Sequence, residues 1–183
     1  LAGPVAVGVV KMPVGFDISK YFPDAADSKI LSEQKREEIY ARMLMLRAKK
    51  MLNFTVRFSS AAVIDRIGIT KAVHRCIYKG IETLAPKPAG IKVLLDGLLH
   101  APKKYKQKTI ICGDATEPVI SLASIAAKVH RDRLMKRYAK TYPTYGFEKH
   151  KGYGTALHQK NIQKFGLSVL HRRSYCKKLG AGI

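Results

Sequence analysis

The feature that most constrains this chain is a pair of short apolar strands in its second half, each ending in an acidic residue beside a glycine. Ile91 to Leu95 runs into Asp96-Gly97, and Thr109 to Cys112 runs into Gly113-Asp114. A long helical segment follows, predicted from Pro118, a residue tolerated in a first helical turn, to about Lys140. Ala123, Ser124, Ala126 and Ala127 are small enough to let that helix lie close against a sheet. Strands alternating with helices imply parallel pairing, because a parallel partner needs a crossover connection, and so an α/β layer architecture.

The first half fits the same plan. Val5 to Met12 is β-prone and ends in the turn signal Pro13-Val14-Gly15. Ser32 reads as an N-cap, with Ile39, Met43 and Leu46 at helical spacing through about Lys50. Phe54, Val56 and Phe58 alternate with Thr55 and Arg57 as a half-buried strand does. Ser60 opens a short helix, and another follows through Val73, Ile77, Ile81 and Leu84 until the Pro86 to Gly90 break. Thr155 is placed to cap a helix ending near Gly166, ahead of a basic tail.

Composition enters through charge. Thirty-four Lys plus Arg against thirteen Asp plus Glu give the 183 residues a net charge of +21. Such an excess repels itself unless a polyanion neutralises it, and nucleic acid is the commonest such partner. The basic residues are spread along the chain, which speaks against a single amphipathic membrane stripe. No apolar run approaches the roughly 18 residues of a membrane span. Cys76, Cys112 and Cys176 are odd in number and far apart, fitting neither a disulfide framework nor a zinc pair, and point to a reducing cytoplasm. His150, His158, His171 and Cys176 are separated by 8, 13 and 5 positions, which matches no common zinc spacing; surface or substrate contacts are the expectation for them.

Ligands of open α/β sheets bind at the carboxyl ends of strands, where Asp96 and Asp114 are expected. Carboxylate oxygens suit Mg²⁺ or Mn²⁺, and a basic surface suits a phosphate backbone, so the pair suggests metal-assisted phosphodiester chemistry. The alternative is that both aspartates only close turns beside their glycines. The segment Tyr142 to Thr155 mixes aromatics, glycines and cations. It reads equally well as a nucleic-acid contact, with backbone approach at glycine and stacking on tyrosine, or as a glycine-rich turn with core tyrosines.

Six motifs in order break these ties. They are Asp27-Ser28-Lys29-Ile30-Leu31, Leu95-Asp96-Gly97, Gly113-Asp114-Ala115, Ser121-Leu122-Ala123-Ser124-Ile125-Ala126-Ala127-Lys128-Val129-His130-Arg131-Asp132-Arg133, His150-Lys151-Gly152-Tyr153-Gly154-Thr155 and His171-Arg172-Arg173-Ser174-Tyr175. Together they cover nearly the whole chain, and it resembles the type 2 ribonucleases H, the ribonuclease HII family. The resemblance implies a ribonuclease H-like mixed sheet flanked by helices, with a core over 1–140 and a C-terminal substrate-binding helical segment over 141–183. It implies an endonuclease that cuts the RNA strand of RNA–DNA hybrids and incises 5′ of a single ribonucleotide in duplex DNA, with two Mg²⁺ or Mn²⁺ ions in the complete enzyme, acting as a cytoplasmic monomer.

By position in those motifs, Asp96 and Asp114 match the third and fourth metal-binding carboxylates. Tyr153 matches the tyrosine that stacks at the RNA–DNA junction, and Lys29 a residue near substrate phosphate. His150, Lys151, Gly152, Thr155 and Arg172 are carried over as substrate-binding candidates; Asp132, 18 positions beyond Asp114 and so roughly 27 Å away along an ideal helix, is expected to be mainly structural. The family pattern opens with a strand ending in Asp-Glu-Ala-Gly-Arg-Gly, directly before the segment that Leu1 to Val5 matches. That motif, with two carboxylates, is not among the 183 residues, and no Asp or Glu precedes Asp17. The expectation is therefore a fragment with its central first strand absent, leaving a slot between the family's second and fourth strands. A catalytically incomplete hybrid-binding fragment or pseudoenzyme is the second reading, and a generic basic nucleic-acid binder the third.

Overall fold

In the computed structural model, residues 1–25 and 30–179 are described. The elements are β1 (Val5–Lys11), α1 (Ile18–Tyr21), α2 (Glu33–Ala48), β2 (Asn53–Ser59), α3 (Ala61–Ile67), α4 (Ile69–Leu84), β3 (Lys92–Asp96), β4 (Lys106–Ile110), α5 (Gly113–Thr116), α6 (Pro118–Thr141), α7 (Phe147–His150), α8 (Ala156–Phe165) and α9 (Arg173–Cys176). They gather into two compact units. The first takes residues 6–57 and 74–129; the second takes 1–5, 58–73 and 130–179.

In the first unit, α2 starts where Ser32 accepts a hydrogen bond from the Lys35 N–H at 3.1 Å, an N-cap that satisfies an otherwise orphaned donor. Its buried face carries Ile39, Met43 and Leu46, which pack with Phe54 of β2 and with Leu122, Ile125 and Val129 of α6. β1 runs against α6 at Gly8, where an added Cβ would lie 1.9 Å from the Ala123 carbonyl oxygen. Only glycine permits so close a backbone approach, and Ala123 is small for the same reason.

β1 pairs with β2, and β3 pairs with β4, as two separate two-stranded sheets among the described residues. The second pair is parallel, with Lys92 opposite Lys106 and Asp96 opposite Ile110. Between the pairs lies a cavity of about 510 Å³ lined by Val7 to Lys11 of β1, Lys92 to Asp96 of β3, Ile77, Ile81 and Leu84 of α4, and Ile120 and Ala123 of α6.

The second unit has its own core of Ala2, Met135, Tyr145 and Phe147. Here α8 begins at Thr155, whose hydroxyl accepts from the His158 N–H at 3.3 Å. The basic tail folds as α9, whose first amides, of Arg173 and Ser174, donate to the Asp65 carboxylate at 2.8 and 3.0 Å. The segment 141–179 lies wholly in this unit, together with Leu1–Val5 and Phe58–Val73.

One strand sits differently from expectation. β4 covers Lys106 to Ile110 rather than Thr109 to Cys112. Its first three residues, Lys106-Gln107-Lys108, carry no apolar signal, and their strand geometry comes from the register with β3. The chain then breaks at Cys112, in the left-handed region at φ 53°, and turns directly into α5. No helix among the described residues is long and apolar enough to cross a membrane.

Candidate active site

The residues singled out from sequence fall into two groups, one in each unit. In the first unit, Asp96 is the last residue of β3. One of its carboxylate oxygens accepts the Gly113 N–H at 2.8 Å, while the Gly97 N–H donates to the Ile110 carbonyl at 2.8 Å. These bonds tie the carboxyl ends of the two parallel strands together and fix the orientation of the Asp96 side chain. A Cβ at Gly113 would lie 2.7 Å from the Ile120 Cδ1 atom of α6 and in ordinary contact, at 3.5 Å, with the Asp96 oxygen, so glycine there fits the packing against α6. Asp114 follows in the first turn of α5 and is 7% exposed. Both aspartates line the cavity described above, whose remaining walls are mainly apolar.

Two carboxylates at one cavity form a hard-oxygen donor set. That set fits a hydrated Mg²⁺ or Mn²⁺, ions that keep several waters and take one or two carboxylates plus substrate phosphate. It does not make a closed protein cage: among the described residues no group of three or more His, Cys, Asp or Glu could hold a metal ion.

In the second unit, Lys151, Gly152, Tyr153 and Gly154 form a loop between α7 and α8. Tyr153 is 54% exposed, with the Arg131 guanidinium 5.1 Å from its ring centroid. Arg131 is itself held by the Pro4 carbonyl at 3.0 Å. Gly152 has φ +82°, and a Cβ there would lie 2.4 Å from the Ala2 carbonyl oxygen, so glycine is required twice over. Lys151 donates from its ammonium to the Glu148 carbonyl. Arg172 donates to the Gly3 carbonyl at 3.0 Å and stacks its guanidinium 5.3 Å from the Tyr175 ring; burial holds its pKa below the ordinary arginine value. Thr155 serves as the α8 cap. Asp132 is buried, at 5% exposure. Lys29 and Asp27 lie outside the described residues.

The histidines correct the expectation of surface placement. His150, His158 and His171 are 7%, 0% and 2% exposed, and lie together beneath the Tyr153 loop. His158 and His171 share a hydrogen bond at 3.1 Å between their Nε2 atoms, and His150 stacks on His158 at 4.2 Å. Burial, and then the neighbouring positive charges, push the His158 and His171 pKa values down to about 4. His150 is lowered too, again chiefly by burial. Two contributors gave no sequence signal of their own role: Arg131, which sits within the α6 motif, and Asp65, which caps a helix more than a hundred residues away.

Comparison with known proteins places this arrangement in context. The profile of the ribonuclease HII family matches residues 1–178. The ribonuclease HII of Geotalea daltonii is 42% identical over 175 residues, which is 96% of this chain and 76% of that protein. Those of Leuconostoc mesenteroides and Bacillus velezensis are 39% and 40% identical over the same share of this chain, which spans 65% and 64% of their lengths. Among solved structures, the PCNA:RNase HII complex from Archaeoglobus fulgidus contains a chain of the same fold, with a TM-score of 0.74 at 20% identity, covering 100% of this chain and 92% of that one. The ribonuclease H2 of Pyrococcus horikoshii superimposes with a TM-score of 0.65 at 22% identity, covering 97% and 92%. With its mixed α/β fold and this extent of similarity, the chain belongs to the ribonuclease HII family, a family of nucleases.

Proposed function

We propose that this protein is a divalent-metal-dependent endonuclease that cuts the RNA strand of RNA–DNA hybrids and incises 5′ of single ribonucleotides in duplex DNA. Hydrolysis leaves a 3′-hydroxyl and a 5′-phosphate, a chemistry suited to ribonucleotide excision repair in the cytoplasm. The observation that carries this reading is the Asp96–Asp114 pair at the carboxyl end of a parallel strand pair, with Asp96 oriented by the Gly113 N–H at 2.8 Å. A bound divalent ion supplies charge stabilisation at the phosphodiester and a more acidic water.

The chain's own residues do the rest. Asp96 and Asp114 are the carboxylates assigned to hold the ion, and the Gly113 amide keeps Asp96 from rotating away. The exposed Tyr153 ring is assigned to stack at the RNA–DNA junction, where base–aromatic stacking contributes about 1–3 kcal/mol. Lys151, Thr155, Arg172 and Lys29 are assigned to the sugar–phosphate backbone, with His150 supporting the loop from below. A net charge of +21 supports a polyanionic partner.

Asp96→Asn tests the assignment cleanly, because the amide oxygen can still accept the Gly113 N–H while the charge is lost. In a chain that also carries the family's Asp-Glu-Ala-Gly-Arg-Gly strand ahead of Leu1, Asp96→Asn and Asp114→Asn are expected to bind hybrid nearly as their parent does and to lose cleavage of a single-ribonucleotide duplex in Mg²⁺ or Mn²⁺. Near-parental turnover in either variant would sink the metal-site reading. A second reading is a hybrid-binding protein without a complete catalytic centre. It predicts binding of the same duplex with no incision by the parent chain.

A further inference from the structure

The buried histidines of the second unit are placed so that each ring proton has a single consistent position. The Ser168 N–H, which can only donate, lies 2.9 Å from His171 Nδ1, and the Ser168 hydroxyl, which accepts the Leu170 N–H at 3.3 Å, lies 2.9 Å from the same nitrogen; Nδ1 then carries the lone pair and the proton of the neutral ring sits on Nε2. His171 Nε2 lies 3.1 Å from His158 Nε2, which must therefore accept. His158 then carries its proton on Nδ1 and donates to the Tyr153 carbonyl at 2.8 Å, a group that only accepts. His150 is fixed the same way: it accepts the Gly152 N–H on Nδ1 at 3.1 Å and donates from Nε2 to the Tyr145 carbonyl at 2.8 Å. Phe147 closes the cluster, edge-on to His150 and His158 with interplanar angles of 86° in both cases.

This chain of bonds ends on the most exposed aromatic of the loop. The Gly152 N–H and the Tyr153 carbonyl are both held by imidazoles, and that carbonyl also accepts the Thr155 N–H at 2.9 Å. The Tyr153 N–H donates to the His150 carbonyl at 2.9 Å, so the tyrosine backbone is fixed on both sides. Above that backbone the ring stays half exposed beside Arg131. Reversing the order of donors would put a proton on His171 Nδ1 against the Ser168 N–H and leave an unprotonated His158 Nδ1 facing the Tyr153 carbonyl, which only accepts. The arrangement thus works in one direction only.

We propose that His158 and His171 are positioning residues: a one-way series of neutral imidazoles from Ser168 fixes the peptide that aims the Tyr153 ring at nucleic acid. The proposal rests on the reading of Tyr153 as a substrate contact. Neither histidine touches the substrate; both act through the Tyr153 carbonyl. The charged groups around the cluster are the Leu1 ammonium on the Gly152 carbonyl, Glu148 on the helix that bears His150, and Arg131 and Arg172. None of these supplies the donor that the Tyr153 carbonyl takes from His158.

His158→Asn and His158→Leu separate positioning from mere packing. An asparagine amide can reproduce the Nδ1–H donor to Tyr153, and leucine cannot. Binding of the full 183-residue chain to a duplex with one ribonucleotide, and to the all-DNA duplex, is measured in EDTA so that no cleavage intervenes. The expected result is a loss of about tenfold in preference for the ribonucleotide duplex in His158→Leu, with most of it retained in His158→Asn. In two-bond proton–nitrogen spectra of the parent, His158 should be protonated on Nδ1, and His150 and His171 on Nε2. Parental selectivity in His158→Leu, or a His158 ring protonated on Nε2, would overturn the relay. Tyr153→Ala distinguishes the two layers: unchanged selectivity there overturns the substrate reading of the ring, while the ring tautomers still decide the relay by themselves.

Discussion

Mild acid should destabilise the second unit well before its carboxylates protonate. An unfolded histidine titrates near 6.5, whereas His158 and His171 are held down to about 4, first by burial and then by neighbouring positive charge. Between those values the unfolded chain binds more protons than the folded one. Stability from this pair is therefore complete above about pH 6.5, falls as the pH drops towards 4, and levels off below that. Between pH 6 and 5 the unfolded imidazole goes from about three-quarters to almost fully protonated while the folded one stays neutral, so each residue costs a little over ~1 kcal/mol. The pair should remove about 2 kcal/mol over that single pH unit. His150, also lowered by burial, adds to the loss in the same direction, whereas the Leu1 ammonium, lowered to about 6, acts mainly between pH 8 and 6, and Asp24, lowered to about 2, acts below pH 4. Equilibrium urea unfolding at pH 6 and pH 5 measures the difference directly. A double variant with leucine at both positions should lose most of the pH slope, whatever its absolute stability. A parent whose unfolding free energy changes by less than ~0.5 kcal/mol across the interval, or a double variant with the parental slope, would refute the argument.

Two further outcomes follow from the geometry. Gly8→Ala would place a methyl 1.9 Å from the Ala123 carbonyl oxygen, which is backbone and cannot rotate aside. A loss of at least about 1–3 kcal/mol is expected, read as a fall in urea midpoint at constant m, and a neutral result would contradict the close β1–α6 packing. Affinity for hybrid should fall steeply with salt between ~50 and ~200 mM, because phosphate contacts made by a chain of charge +21 release counterions; a flat response in a binding titration would remove the polyanion argument.

What the sequence made legible was what is decided locally or by topology. Ser32, Ser60 and Thr155 announce helix starts because a cap needs only its own next three residues, and each hydroxyl does accept the expected amide. Asp96 and Asp114 stood out because strand ends are where an α/β sheet exposes its ligand edge, and acidic residues are scarce in so basic a chain. The link between them was not legible, since the bond from the Gly113 amide to Asp96 joins residues 17 apart through the parallel register. The start of β4 was hidden for a related reason: Lys106-Gln107-Lys108 has no period-two signal and owes its conformation to β3.

The histidines show how a spacing test can ask the wrong question. Intervals of 8, 13 and 5 match no common zinc pattern, yet such a test says nothing about whether the rings are exposed. His150 ends α7, His158 sits in the first turn of α8, and His171 lies in the bridge to Ala2. They meet against Phe147 and Tyr145, which give them an aromatic floor. A neutral imidazole is one of the few side chains that can donate and accept at opposite ends of a rigid ring. Three of them can therefore be buried with their hydrogen-bonding groups satisfied, provided their partners set one order of donors. The Ser168 amide and the Tyr153 carbonyl are those partners, and backbone groups leave no trace in residue type. A histidine run in a glycine–tyrosine motif thus carries two readings in sequence, contact or support, and the Ser168 amide at one end with the Tyr153 carbonyl at the other is the ground on which we read His158 and His171 as support.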